Sequence, residues 1–206
     1  MKFYTHLIFC IFFFISSVNT FSQKTIWAKS LGAGTEVKQL ATDKSGNVYT
    51  ITYSNGIGIY KYNKNGQLVW IKSIAAGTTN FSTKHASIDI DQGGNLIIAG
   101  TFEAGSDFDP GPSVVSLFSA GRTDFFIEKL DSMGIFKWVK KIGSTGDDDN
   151  YCMKLDKQDN IFLTGTVDGT IDFDPGPGIY NSTGGDGDMY VCKLSGPGGA
   201  RGCTNC

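Results

Sequence analysis

Paired aspartates are the residues of this sequence whose type and spacing could do chemistry. They occur twice, at 107–112 and at 172–177, each time in the order Asp-Phe-Asp-Pro-Gly-Pro. Carboxylate oxygens are hard ligands of the kind that Ca²⁺ prefers. The candidate calcium ligands are Asp107, Asp109, Asp172 and Asp174. Asp168 or Asp186 could supply a further carboxylate. The other interpretation is a Pro-Gly turn whose Asp side chains cap the backbone, and it is favoured because the spacing lacks the D-x-[DN]-x-[DN]-G pattern of a known calcium loop.

Two further sets of side chains could contact a ligand. The run Asp147-Asp148-Asp149 is typical of a solvated loop, and the alternative is a contact with a metal ion or another cation. Trp27, Trp70 and Trp138 could stack on sugar rings. Each of them lies at the same place in a repeated W-x-K segment, which favours packing within a repeated fold.

Few groups of the kind that enzymes use are present. Downstream of residue 22 the sole histidine in the sequence is His85, and it lies near no nucleophile motif. A Ser-His-Asp arrangement would need this residue, and histidine-based metal catalysis lacks ligands. Paired carboxylates could hydrolyse a glycosidic bond, but the acids here recur with the repeat. The sequence therefore predicts that the protein is not an enzyme; the alternative is a hydrolase or lyase acting on polysaccharide.

An internal repeat positions these residues. A D-x-x-[GD]-N turn occurs at 43–47, 91–95 and 156–160, and strand-like apolar residues follow each copy. A second turn, K-x-[DNS]-x-x-G, lies later in each unit. The first residue of the D-x-x-[GD]-N turn can accept backbone N–H bonds, and the Gly, or Asp159 in the third copy, can adopt positive φ.

The repeat predicts an all-β fold. Units are expected at about 37–74, 85–142 and 150–194, with an extra outer strand at 25–31 and no last strand in the third unit. Four-stranded antiparallel meanders that repeat every 40 to 70 residues, roughly, are typical of β-propeller blades. We therefore expect a partial β-propeller of about three blades.

The first 22 residues are predicted to be a signal peptide. The apolar run at 7–15 is about half the roughly 20 residues that span a bilayer, and Thr20 and Ser22 precede a cleavage point before Gln23. Cleavage leaves a repeat domain at 23–198 and an irregular Gly/Cys tail at 199–206. We expect a protein of the periplasm, cell surface or medium without a membrane span. Its net charge of −2 gives no basic surface for nucleic acid.

Four cysteines remain after the predicted cleavage. Cys152 and Cys192 lie in strands that are not expected to be neighbours, which favours two buried free thiols. Cys203 and Cys206 form a C-x-x-C in the tail, and the sequence does not choose among the disulfide pairings.

The repeat resembles the SBBP β-propeller repeats of exported proteins from Bacteroidetes-type bacteria. The resemblance rests on the F-D-P-G-P insertions, on the S-x-G-x-x-D segment at 119–124 and on the K-L-D-x-x-G-x-x-x-W-x-K run at 129–140, and it covers about 25–198. It implies a propeller fold and export, and it implies no reaction and no catalytic residues.

Propellers close with about four to eight blades, so three interpretations stay open. The chain is a fragment of a larger propeller, or strand 25–31 completes the third unit of the same chain, or it completes the third unit of another copy. The predicted function is an exported non-catalytic module that serves as a binding or structural scaffold for a protein or glycan. No cofactor is expected apart from the calcium alternative.

Overall fold

Every regular element of the described chain is a β-strand. The computed structural model describes residues 24–31, 36–53, 56–74 and 85–196. The predicted signal peptide and the predicted tail lie outside these residues. Within them, no helix is long and apolar enough to cross a membrane.

Sheet 1 is a four-stranded antiparallel meander. Its strands are β1 (Glu36–Thr42), β2 (Val48–Tyr53), β3 (Ile57–Tyr62) and β4 (Leu68–Ile74). Neighbours along the chain are neighbours in the sheet, and the predicted unit of 37–74 matches sheet 1 within one residue.

Sheet 2 has the same topology. Its strands are β5 (Ala86–Ile90), β6 (Leu96–Asp107), β7 (Ser116–Leu130) and β8 (Phe136–Ile142). The hairpin of β6 and β7 continues past a bulge between Glu103 and Gly105, where Ala104 adopts a φ of 53°. The bulge changes the direction of the hairpin, and its outer arm carries the first Asp-Phe-Asp-Pro-Gly-Pro insertion.

Sheet 3 has three strands in the described chain. The remaining elements are β9 (Asp149–Leu155), β10 (Ile161–Val167), β11 (Thr170–Asp172), β12 (Asn181–Thr183) and β13 (Asp188–Leu194). Sheet 3 is formed by β9, β10 and β13, with β10 in the middle, and β11 and β12 form a separate two-stranded ladder. That small ladder was not predicted; it holds the second insertion.

The three sheets stack face to face in chain order. Phe126 and Leu130 on one face of β7 join a core shared with sheet 1, whereas Phe125 and Ile127 on the other face join a core shared with sheet 3. Successive side chains of a strand point to opposite faces, so sheet 2 is buried on both. Burial of each such side chain contributes about 1.5–3 kcal/mol. Along one edge of the stack β1 packs beside β5, and β5 packs beside β9.

The predicted Asp turns are confirmed. Asp43 Oδ1 accepts hydrogen bonds from the backbone N–H groups of Ser45 and Asn47, each at 2.9 Å. The residue before the Asn has positive φ, 79° at Gly46 and 61° at Asp159. Short polar side chains tolerate this conformation, which explains why Asp replaces Gly in the third copy.

Residues 24–31 do not form the predicted outer strand. The segment joins no sheet of the described chain. Trp27 nevertheless packs on Tyr62, with ring centroids 6.3 Å apart, and its Nε1 donates to the Lys64 carbonyl oxygen at 3.2 Å. A strand needs a paired neighbour for its backbone groups, and no described strand flanks this segment. The prediction of a packed tryptophan is confirmed, whereas the predicted strand does not form within the described part of one chain.

Candidate functional site

The two Asp-Phe-Asp-Pro-Gly-Pro insertions use their carboxylates to hold their own backbone. Asp107 Oδ1 accepts the N–H groups of Asp109 at 3.0 Å and of Val115 at 2.9 Å. Asp172 makes the same pair of bonds in the second insertion, at 2.9 and 2.8 Å. Asp109 and Asp174 each accept one further N–H at 2.7 Å. The capped-turn interpretation is therefore confirmed for these four aspartates.

The phenylalanine of each insertion anchors its loop in a core. Phe108 is fully buried and lies 4.7 Å from Phe126 and 5.4 Å from Phe102, measured between ring centroids. Phe173 lies 5.1 Å from Tyr190 in the core between sheets 2 and 3. Each insertion therefore folds back and fills the space between two sheets.

The structure does not bring the four candidate calcium ligands together. Phe108 belongs to the core between sheets 1 and 2, and Phe173 to the core on the other side of sheet 2. Of the two auxiliary candidates, Asp168 accepts the Gly187 N–H at 2.5 Å, and Asp186 is exposed. Among the described residues no group of three or more His, Cys, Asp or Glu side chains could hold a metal ion. Calcium binding at a single insertion stays a prediction.

Glu128 is a buried acid that the sequence analysis missed. It lies on β7 between Phe126 and Leu130, on the face toward sheet 1, and is fully buried. Neither carboxyl oxygen has a hydrogen-bond partner. Burial, followed by the negative charges of Asp109 and Asp107, raises the pKa of Glu128 well above its usual range. The alternation of β7 is the signal that could have found it, since it places Glu128 in line with two core residues.

The acidic run at 147–149 is not the solvated loop that its composition predicts. Asp148 is fully buried and accepts the N–H groups of Ser144 at 2.5 Å and of Asp168 at 3.2 Å. Burial raises the pKa of the Asp148 carboxyl despite these bonds. Asp147 pairs with the Arg122 guanidinium. The prediction is wrong because the Asp148 N–H donates to the carbonyl oxygen of Thr123 on β7 at 3.0 Å, and sequence composition cannot reveal such a contact.

A cleft of about 220 Å³ opens where the first strands of the three sheets meet. It is lined by Lys38, Gln39, His85, Ala86, Ser87, Tyr151 and Cys152. Apart from His85, these residues occupy the same two positions in each unit, five and four residues before the turn aspartate. Their types differ from unit to unit, so the repeat is broken here.

Hydrogen bonds between the sheets fix the walls of this cleft. Gln39 Oε1 accepts the Ile88 N–H at 3.1 Å, and Ser87 Oγ accepts the Met153 N–H at 3.2 Å. The first bond joins β1 to β5 and the second joins β5 to β9. A cleft supported by such bonds is formed before a ligand arrives, which reduces the entropy lost on binding.

Aromatic and basic groups give the cleft its chemical character. The rings of His85 and Tyr151 lie 4.7 Å apart at 53°. Lys38 Nζ lies 2.6 Å from Glu36 Oε1 and 5.9 Å from the centre of the Tyr53 ring. The cleft therefore offers aromatic surface beside hydrogen-bond donors, and none of its lining side chains is a carboxylate.

The cysteines differ from the prediction of two buried free thiols. Cys152 is free but exposed, because Met153 is the residue of β9 that points into the core. Cys192 is buried but disulfide-bonded. Its partner lies outside the described residues.

Comparison with known proteins yields no family. No family model matches this chain, and no curated protein matches it. Among solved structures, the chain is similar to the crystal structure of a protein of unknown function from Bacteroides caccae, with 12% sequence identity and a TM-score of 0.46 over 84% of this chain and 50% of that one. The chain thus spans about half the length of that protein.

Proposed function

We propose that this chain is an exported, non-catalytic β-propeller module whose sheets are blades and whose cleft binds a glycan or protein ligand. The propeller interpretation is supported by the two four-stranded meanders, by the face-to-face stacking of the sheets and by the packing of β1, β5 and β9 along one edge. In a propeller the first strands of the blades line the axis. The cleft would then lie at the axis.

The observation that best supports a binding role for the cleft is the distribution of polar residues. Those that recur with the repeat, including Asp43, Asp107 and Asp172, cap turns and loops. By contrast, Lys38, Gln39, Ser87 and Tyr151, which differ from unit to unit, line the cleft together. Residues that have no structural role common to all units can vary to recognise a ligand.

The size and lining of the cleft favour a small recognition element. Its volume of about 220 Å³ is below the roughly 300–1,000 Å³ of sites for drug-sized ligands. One sugar unit of a glycan, or one side chain of a protein, is of the right size. The Tyr151 and His85 rings would stack on a sugar ring, and Lys38 would donate to its hydroxyls. The alternative of a polysaccharide hydrolase needs paired carboxylates, which the lining does not supply.

A glycan array probed with the exported protein tests this function, followed by calorimetry with the best oligosaccharide. We expect Tyr151→Ala to weaken binding by about 5- to 150-fold, since loss of a stacked ring costs roughly 1–3 kcal/mol on the scale of base–aromatic stacking. Phe118→Ala, which removes an exposed aromatic ring outside the cleft, is the matched control and should leave binding unchanged. Equal binding by Tyr151→Ala and wild type would refute the cleft as the site. Release of new sugar ends from the bound glycan would refute the non-catalytic assignment.

A further inference from the structure

The outer face of sheet 3 carries core-type residues with no described sheet stacked on them. In β7, Phe125 and Ile127 point toward sheet 3 and are at most 1% exposed. Residues 124–130 and 188–194 align without a gap, so Met189 and Val191 of β13 occupy the corresponding positions. These two side chains are 88% and 70% exposed. Sheet 3 therefore exposes the face that corresponds to the buried face of sheet 2 on which sheet 3 itself packs.

Sheet 1 presents the complementary face. In sheet 2, the side chains at positions 126, 128 and 130 lie on the face that packs against sheet 1. The corresponding positions of β3 are Gly58, Tyr60 and Tyr62. The two tyrosine rings stack, with centroids 6.5 Å apart and planes 9° from parallel. They lie on the face away from sheet 2, because Ile57 and Ile59 face the shared core.

The segment 24–31 lies beside this face in the place of a last strand. A Cβ atom added to Gly66 would lie 2.7 Å from Trp27, and one added to Gly134 would lie 3.3 Å from Trp70. The tryptophan of β4 thus packs on the last turn of sheet 2 as Trp27 packs on the last turn of sheet 1. The difference is that β4 is paired with β3, whereas the segment joins no sheet of the described chain.

We propose that sheet 3 of one copy docks on sheet 1 of a second copy, with β13 of the first pairing with residues 24–31 of the second. The contact repeats the stacking that already joins sheets 1 to 2 and 2 to 3 within the chain. It buries Met189 and Val191 and pairs two backbone edges, and unpaired edges recruit partner strands. It does not depend on which ligand the cleft takes.

The existing ladders fix the register of this pairing. In sheet 2, Trp138 lies opposite Lys129 and Lys140 lies opposite Ile127, and sheet 1 pairs the corresponding residues in the same way. Transferred to the contact between copies, Trp27 lies opposite Lys193, and Lys29 lies opposite Val191. Each copy carries one face of each kind, so the contact is heterologous and builds a ring or a head-to-tail filament.

Light scattering of the exported protein across micromolar concentrations is the first test. Wild type is expected at a mass of two or more chains. Val191→Lys should reduce the mass to that of one chain, because it places a charge in the contact. Val114→Lys, at an equally exposed valine in the first insertion, is the matched control and should keep the wild-type mass. A wild type of single-chain mass throughout, or a Val191→Lys variant with unchanged mass, would overturn the proposal.

Cysteine cross-linking tests the register. Lys29 and Val191 are both exposed, so the double variant Lys29→Cys/Val191→Cys is expected to fold and, on mild oxidation, to give a ladder of covalent multimers. Each single variant is the control for reaction at Cys152. A ladder of equal strength in a single variant, no ladder in the double variant, or a cross-link within one chain would each contradict the pairing between copies.

Discussion

Replacing Glu128 by methionine is expected to stabilise the protein, by an amount that increases with pH. Methionine has nearly the same length and no group that needs a hydrogen bond, so it keeps the packing between Phe126 and Leu130. The substitution removes two buried oxygens that have no partner. An unsatisfied buried polar group costs about 1–3 kcal/mol, and this is the gain expected near pH 5.

The pH dependence follows from the raised pKa of Glu128. Burial raises this pKa well above the ordinary value of 4.5. Above pH 4.5 the unfolded chain releases the proton while the folded protein keeps it. The part of the free energy of unfolding that comes from keeping this proton is therefore fully present below pH 4.5. It is lost as the pH rises toward the folded-state pKa, and the free energy of unfolding falls by about 1.4 kcal/mol per pH unit in that range. The methionine variant lacks this slope, so its advantage over wild type should be larger at pH 7 than at pH 5.

Urea unfolding at pH 5, 6 and 7, followed by tryptophan fluorescence with the disulfide intact, measures both effects. Glu36→Met replaces an exposed glutamate and is the matched control, expected within about 0.5 kcal/mol of wild type at each pH. A lower midpoint for Glu128→Met at pH 7, or a gain that does not change with pH, would refute the reasoning.

Three further substitutions or reactions test the fold and the cleft. Phe108→Ala is expected to lower the free energy of unfolding by about 3–5 kcal/mol, measured by the same urea titration, because it empties the space between sheets 1 and 2; a change below 1 kcal/mol, roughly, would show that the insertion does not anchor there. Gly66→Ala should destabilise more than Gly94→Ala, since both have positive φ but only the first new Cβ meets Trp27; equal losses would place Trp27 elsewhere. Cys152 should react with a thiol reagent in the folded protein, as mass spectrometry of peptides would show, and protection until unfolding would contradict its exposure.

Local patterns predicted the elements of this fold well. The turn at 43–47 and its equivalents need an Asp cap and a residue of positive φ, and both requirements are visible in neighbouring residues. Strand ends followed from those turns, which is why the predicted unit of 37–74 agrees with sheet 1 within one residue. The outer arm of the β6–β7 hairpin was missed because a bulge is a deviation from alternation that short patterns do not show.

The site residues could be predicted only in part for a related reason. The capping role of Asp107 and Asp172 depends on their own loops, so it could be predicted from neighbouring residues. The burial of Asp148 depends on contacts with Thr123 of sheet 2 and with Asp168, which follows β10 of sheet 3. The burial of Glu128 depends on the stacking of sheet 1. Residues distant in the sequence form both environments, so neither can be predicted from the neighbouring residues. Composition alone predicted that the acidic run is exposed to solvent.

The sequence by itself determined the repeat, its turns and the alternation that makes sheet 2 apolar on both faces, because these depend on residues a few positions apart. The tertiary structure alone decided which side chains meet across sheets. It brought His85 beside Tyr151, although the two residues lie far apart in the sequence. It also folded the insertions into the cores and left Met189 and Val191 exposed on an outer face. Contacts of this kind depend on how the sheets stack, and the stacking is set by the summed burial of many side chains rather than by any local motif.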